Sequence, residues 1–136
     1  MATDQTGIRR FLLVDDEPAV LALLGRILSA EDAEILAVQR GAEALEIARR
    51  THVDLVILDV RLPDVSGVEV LRRVRRIDGM LPVIMITSCG SAETVRASMR
   101  LGAFDYLTKP FDNQYVRRIA REALSTRACR LVPSET

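Results

Sequence analysis

The residues of this 136-residue chain that could do chemistry together are three aspartates, a hydroxyl and an amine: Asp15, Asp16, Asp59, Thr87 and Lys109. Carboxylates brought close together repel one another and need a cation between them. Mg²⁺ suits such a set, because it is a hard ion that binds carboxylate oxygens and keeps several of its waters. Transition metals are disfavoured, because no histidine or cysteine belongs to the set. The residue types therefore predict a Mg²⁺ site built from oxygen ligands.

These side chains lie at or just after the ends of short apolar runs, which are residues 11–14, 35–38, 55–58, 83–86 and 104–107. Such continuous runs are typical of strands buried on both faces of a parallel sheet. Amphipathic segments separate and follow them, and their three- and four-residue spacing predicts helices. Helix-end signals agree: Pro18 near the start of the first helix, Ser66 with Glu69 as a capping box on the third, Gly102 after the fourth, and Asp112 near the start of the fifth.

Alternating strands and helices predict an α/β fold of the (βα)5 type, a doubly wound parallel five-stranded sheet with the flavodoxin-like order 2-1-3-4-5. Ligands of such sheets bind beyond the carboxyl ends of the strands, near the switch point between strands 1 and 3. The chemical side chains should therefore meet at this edge. We expect the domain to span residues 8–125. Residues 1–7 would form an N-terminal tail, and residues 126–136 a C-terminal tail or the start of a linker.

The predicted set has the parts that phosphoryl transfer requires. A Mg²⁺ ion beside carboxylates neutralises an incoming phosphoryl group and leaves one carboxylate free to attack phosphorus. Lys109 supplies a movable positive charge for the phosphoryl oxygens, and Thr87 supplies a hydroxyl donor. Positioning and electrostatics of this kind account for most of the catalysis in phosphoryl transfer.

Four segments of the chain resemble the response-regulator receiver domains of two-component signalling. They are LLVDDEP at 12–18, LDVRLPD at 58–64 followed by Gly67, ITS at 86–88, and GAFDYLTKPF at 102–111. The match covers about residues 8–125, with the segments in the right order and spacing. The resemblance implies a switch domain, not an enzyme with a separate substrate. A sensor histidine kinase or a phosphotransfer protein would supply its phosphoryl group.

The resemblance also implies roles for individual residues at the acidic end of the sheet. Asp59 would be the phosphorylated aspartate. Asp16, Asp59 and the backbone carbonyl of Arg61 would bind Mg²⁺ directly, and Asp15 would act largely through water. Lys109 would contact the phosphoryl group and be joined to the next residue, a proline, by a cis peptide bond.

Thr87 and Tyr106 would form the switch pair in this resemblance. The Thr87 hydroxyl would move toward the phosphoryl group, and the Tyr106 ring would turn inward behind it. The surface that changes is helix 4, strand 5 and helix 5, called the switch face below. It would contact an output domain or partner, or a second copy of the chain in a homodimer.

Arginines are frequent on the last two predicted helices: Arg96, Arg100, Arg117, Arg118 and Arg121. They favour a solvated face, with a partner or self-association surface as the alternative. The charged set usual on this face in winged-helix regulators is matched by Asp105 but not by Tyr115 or Ile119. The sequence therefore leaves the class of output open.

The overall composition argues against several other functions. Nineteen basic and nineteen acidic side chains cancel, so no global field favours nucleic acid or a membrane. Cys89 and Cys129 are too few for a disulfide framework, and free thiols suit a cytoplasmic location. His52 lies in a polar turn and is expected at the surface, not as a phosphodonor.

Three alternative functions share part of this pattern. A flavodoxin-like electron carrier would need a hydroxyl- and glycine-rich phosphate loop after strand 1, where this chain has acids that would repel a flavin phosphate. A haloacid-dehalogenase-like phosphatase expects Asp-x-Asp after the first strand, whereas Asp15 and Asp16 are adjacent. A pseudo-receiver that only docks partners would normally lack Asp59 or Lys109, and both are present.

Overall fold

The computed structural model describes residues 8–88 and 90–131. The strands are β1 (Arg9–Val14), β2 (Ala33–Val38), β3 (Leu55–Asp59), β4 (Val83–Thr87) and β5 (Asp105–Thr108). The helices are α1 (Pro18–Leu28), α2 (Gly41–Arg50), α3 (Gly67–Ile77), α4 (Ala92–Arg100) and α5 (Asn113–Leu131), with a short 3-10 turn at Ser29–Glu31. Cys89, the Cys129 thiol and the tails at 1–7 and 132–136 lie outside what is described.

The five strands form one sheet in the order β2-β1-β3-β4-β5, and every neighbouring pair is parallel. The predicted fold class and strand order are confirmed. The register aligns Val14 with Leu58 and Asp59 with Ile86, so β1, β3 and β4 end at nearly the same level. This register places the loops that follow these strands at one edge of the sheet.

Alternate residues of the central strands pack into two cores, one on each face of the sheet. Phe11 and Leu13 belong to the core under α1 and α5. Leu12 and Val14 belong to the core under α2 and α3. β3 and β4 are buried along their whole lengths, as expected for central strands of a parallel sheet. By contrast, Ser98 is the one buried residue of α4, so this helix is the least anchored of the five.

Several predicted element ends are confirmed by local hydrogen bonding and backbone geometry. Pro18 opens α1, and Gly102 adopts a φ of +90° after α4. The Ser66 hydroxyl accepts the Glu69 N–H as the N-cap of α3. The second half of the predicted capping box is replaced: the Glu69 carboxylate pairs with Arg73 one turn later, at 3.0 Å.

Two boundaries differ from the sequence prediction. β5 begins at Asp105, one residue later than the start of the apolar run. Phe104 lies just before the strand, and its N–H donates to the carbonyl of Val83. α5 runs to Leu131, so part of the predicted C-terminal tail is helical, and the domain end at residue 125 stays a prediction. Within the described ranges, none of the helices combines the length and apolar character needed to cross a membrane.

Candidate functional site

Lys109 lies at the centre of an acidic cluster formed by the loops after β1 and β3. Its Nζ is 2.9 Å from Asp15 Oδ2, 2.8 Å from Glu17 Oε1 and 3.2 Å from Asp59 Oδ2. The contacts come from the loop after β1 and from the end of β3, two parts of the chain that are remote from Lys109 in sequence and meet it at the carboxyl edge of the sheet. The structure thus brings together Asp15, Asp59 and Lys109, as the sequence predicts.

Asp15 is the most buried carboxylate of the cluster, with none of its surface exposed. Its backbone N–H bonds to the carbonyl of Val38 and continues the strand pairing beyond β1. Its Oδ1 accepts the Glu17 N–H at 2.8 Å, which fixes the turn into α1. Burial raises the pKa of Asp15 to about 6; the Glu17 N–H and Lys109 oppose the rise, and the Asp59 charge adds to it.

Lys109 is held by its backbone as well as by its charge. Its N–H donates to the carbonyl of Thr87 at 2.8 Å, and its bond to Pro110 is cis, as the resemblance implied. Burial alone would lower the pKa of the ammonium, but its hydrogen bonds to Glu17 and Asp15 and the negative charges of Asp15 and Asp59 raise the pKa instead. The side chain of Lys109 therefore stays protonated and positively charged at neutral pH.

Asp59 ends β3 and is 4% exposed. Its Oδ1 accepts the Arg61 N–H at 3.0 Å, whereas Oδ2 faces Lys109. The start of α3 passes so close that a Cβ at Gly67 would overlap the Asp59 carbonyl oxygen and the Val60 Cα. Glycine at residue 67 is thus what allows α3 to begin directly against the backbone of Asp59 and Val60.

A possible cation site lies beside Lys109. Asp15, Asp16 and Glu17 each offer a carboxylate oxygen, and these oxygens lie within 4.8 Å of one another. A set of three carboxylates offers only oxygen ligands and negative charge, and such a set fits Mg²⁺ better than a transition metal. Asp16 and Glu17 are exposed, so such an ion could keep water ligands. Asp59 is not one of these three residues. The ammonium of Lys109 lies between the carboxylates of Asp59 and Asp15 and contacts both.

Glu17 is a site residue that the sequence analysis did not select. It belongs to the acidic run after the first strand, and that run is the signal that could have identified it. His52 is half-buried, pairs with Asp54 at 2.8 Å and precedes β3, at the opposite end of the strand from Asp59.

Thr87 and Tyr106 lie side by side near the start of α4. Thr87 ends β4 and is 2% exposed, and Tyr106 is a half-buried residue of β5 that packs against the core under α2 and α3. A Cβ at Gly90 would meet the Tyr106 hydroxyl and the Thr87 methyl group. The predicted switch pair therefore shares one packing site, and Gly90 is a member of it that sequence reasoning missed.

Comparison with known proteins agrees with this architecture. The family model described as the response regulator receiver domain matches residues 11–121. Among solved structures, a CheY-like response regulator receiver domain protein from Methanospirillum hungatei JF-1 superimposes with a TM-score of 0.88 at 27% identity, covering 91% of this chain and 99% of that one.

Two curated relatives of different length illustrate the similarity. The chain is 35% identical over 119 residues to the regulatory protein AtoC of Escherichia coli (strain K12), covering 88% of this chain and 26% of AtoC. It is 32% identical over 115 residues to sporulation initiation phosphotransferase F of Bacillus subtilis (strain 168), covering 85% of this chain and 93% of that protein. The chain thus spans about a quarter of the length of AtoC and nearly all of the length of the sporulation protein.

Proposed function

This chain belongs to the response regulator receiver domain family of two-component signalling, and on that premise we propose that Asp59 is its phospho-acceptor. The supporting observation is the position of Lys109, whose ammonium contacts Oδ2 of Asp59 and Oδ2 of Asp15 at the same time. A cation between the two carboxylates lowers their mutual repulsion. It also lies where a third anion, the phosphoryl group, would have to be stabilised.

In the proposed reaction an Asp59 carboxylate oxygen attacks phosphorus. A new O–P bond forms, and the bond from phosphorus to the donor breaks, with its electron pair leaving on the donor. The donor would be the phosphohistidine of a sensor kinase or phosphotransfer protein, or a small acyl phosphate. Lys109 offsets charge on the phosphoryl oxygens, and the Thr87 hydroxyl would donate to one of them once it turns toward the site.

Receiver domains of this family generally use Mg²⁺, and the carboxylates of this chain fit it. We propose that Asp16, Asp59 and the Arg61 backbone carbonyl would hold the ion directly and that Asp15 would act largely through water. Glu17 is a further candidate ligand, because its carboxylate lies in the same oxygen cluster. The bound ion would supply charge neutralisation for the phosphoryl group.

The proposed output of phosphorylation is a change in the conformation of the switch face, which consists of α4, β5 and α5. The weak anchoring of α4 and the shared packing of Thr87 and Tyr106 at its start support this. The face would act on an output domain, a partner or a second copy of the chain. We propose a signalling switch in the cytoplasm that assists its own phosphorylation and dephosphorylation without acting on another substrate, and without itself binding nucleic acid or a membrane.

Phosphorylation by a small donor tests the assignment of Asp59. With Mg²⁺ and acetyl phosphate, intact-protein mass spectrometry should show the gain of one phosphoryl group that is stable in acid and labile in base. Asp59→Asn should abolish the gain. Asp112→Asn, which changes an exposed aspartate on the loop before α5, should leave it intact. Full phosphorylation of Asp59→Asn would overturn the assignment.

A further inference from the structure

Asp64 ties the loop after β3 to the start of a helix on another part of the chain. Its Oδ1 accepts the Gly41 N–H and its Oδ2 accepts the Ala42 N–H, both at 2.9 Å. These N–H groups open α2 and have no partner within that helix. The two hydrogen bonds lower the pKa of Asp64, so its carboxylate is charged at neutral pH and favourably placed at the positive end of α2.

The packing around this tie is close. A Cβ at Gly41 would collide with Val65 Cγ1 and Val70 Cγ2, so the loop and α3 pack directly on the backbone of α2. Val65 and Leu62 also pack against the core under α2 and α3. Asp64 is therefore a cross-link within a tightly fitted contact, although its own side chain is exposed. The sequence carries no local signal for this partner, which lies 22 and 23 residues away along the chain.

The backbone between Asp64 and Arg61 is restricted by its sequence. Pro63 has its φ fixed by its ring, and Leu62, as the residue before a proline, is largely confined to extended conformations. At its other end the segment is held by the Arg61 N–H, which donates to Asp59 Oδ1. Fixing Asp64 thus limits where the Arg61 carbonyl can lie.

We propose that Asp64 is a positioning residue for the metal site: by binding the start of α2 it holds the loop so that the Arg61 carbonyl is presented as a ligand. The inference rests on the proposed function, in which that carbonyl binds Mg²⁺. Groups that hold a ligand in place raise metal affinity because less ordering is required on binding. Removing the tie should weaken the binding of Mg²⁺ without removing any ligand.

A simple stabilising role for Asp64 makes a different prediction. If Asp64 only satisfied the N–H groups at the start of α2, its loss would lower the free energy of unfolding by about 0.5–2 kcal/mol, as the loss of an N-cap does, and would leave Mg²⁺ affinity unchanged in the folded protein. As a positioning residue, its loss should raise the dissociation constant for Mg²⁺ on the order of tenfold, the low end of the effect of residues that hold metal ligands in place. The two roles are therefore separable by titration.

Isothermal titration of each variant with MgCl₂, at a temperature where circular dichroism shows it folded, provides the test. Asp64→Ala should bind Mg²⁺ more weakly than wild type, and Asp64→Asn, which keeps a carbonyl acceptor, should lie between them. Asp112→Ala is the matched control, because Asp112 Oδ1 likewise accepts an N–H at a helix start, that of Gln114 at 2.9 Å. It should bind Mg²⁺ as wild type does. At saturating Mg²⁺, Asp64→Ala should also recover most of the wild-type rate of phosphorylation by acetyl phosphate.

Each result has a distinct meaning. If wild type binds no Mg²⁺, the proposed function fails and the inference fails with it. If wild type binds Mg²⁺ and Asp64→Ala binds it equally well, the positioning role alone is overturned. If Asp64→Ala does not fold, Asp64→Asn decides: an unchanged dissociation constant rejects the inference, and a weaker one supports it.

Discussion

The hydroxyl of Tyr106 lies against the backbone of Gly90, in the space that a Cβ at residue 90 would occupy. The ring thus fits beside the loop before α4 only because residue 90 has no side chain. The same missing side chain leaves room for the Thr87 methyl group. Gly90 therefore permits the position of one switch residue and borders the other.

Gly90→Ala should displace the Tyr106 ring from this position while leaving Asp59 able to accept a phosphoryl group. The overlap would be with the hydroxyl end of the Tyr106 side chain, which can change its χ1 rotamer, so we expect a rotamer change instead of unfolding. Ring NMR signals report this directly, since the chain has two tyrosines and Tyr115 serves as the internal reference. Gly25→Ala is the matched control, because a Cβ at Gly25 meets nothing within 4 Å. Unshifted Tyr106 signals in Gly90→Ala would contradict the packing argument.

Mg²⁺ should stabilise the folded protein through the acidic cluster. If its dissociation constant is on the order of 1 mM, about 10 mM Mg²⁺ adds roughly 1.4 kcal/mol to the free energy of unfolding. For a domain of this size the melting temperature should rise by about 3–6 °C. Asp16→Asn should lose most of the rise, whereas Glu122→Gln on α5 should keep it. An equal response of wild type and Asp16→Asn would move the metal to another site.

The free energy of unfolding without metal should depend on pH through Asp15. Burial raises the pKa of Asp15 to about 6 in the folded protein, so between about pH 4 and pH 6 the folded state binds more protons than the unfolded state. Stability from this group is present at low pH and is lost as pH rises through that window. Relative to wild type, Asp15→Asn should therefore become more stable as pH rises from 4 to 7, by on the order of 1–3 kcal/mol.

Urea unfolding of the two proteins in EDTA across this range measures the difference. Asp64→Asn provides a control, because its difference in stability from wild type should stay constant between about pH 4 and pH 7. Hydrogen bonds to Ala42 and Gly41 lower the pKa of Asp64, so the stabilisation it contributes is present above its unfolded pKa and is lost as pH falls below about 4. A difference between wild type and Asp15→Asn that does not change with pH would show that Asp15 does not titrate in this window.

The fold could be predicted from the sequence because its central strands are continuous apolar runs that end at chemically distinctive residues. Asp59 and Thr87 are the last residues of β3 and β4, and in a parallel sheet such ends must meet. The convergence of Asp15, Asp59 and Lys109 followed from that topology alone. No knowledge of side-chain conformation was needed for it.

The residues that sequence analysis missed act through contacts that no local pattern encodes. Asp64 looks like an ordinary turn residue until α2 is packed beside it, and Gly90 is unremarkable until the ring of Tyr106 is placed over it. Glu17 contacts Lys109, which lies 92 residues away along the chain, at 2.8 Å. Tertiary packing between elements, which periodicity does not report, determines all three.

Occupation of the acceptor site should reach the switch face through Thr87. A phosphoryl group adds acceptor oxygens and negative charge near the end of β4, so it should attract the Thr87 hydroxyl. Because Thr87 and Tyr106 share one packing site at Gly90, a shift of one should alter the preferred position of the other, and α4 is weakly enough anchored to follow. The change is a population shift, limited by the differential interaction of the modification with the two states.

Beryllofluoride, a mimic of the phosphoryl group on Asp59, should therefore perturb amide NMR signals from β4 through β5, well beyond the site. In Thr87→Ala the site should still bind beryllofluoride, but the distant perturbations around Tyr106 should shrink. Thr87→Ser keeps the hydroxyl and should preserve them. If they persist undiminished in Thr87→Ala, the coupling runs by a route that does not use the hydroxyl.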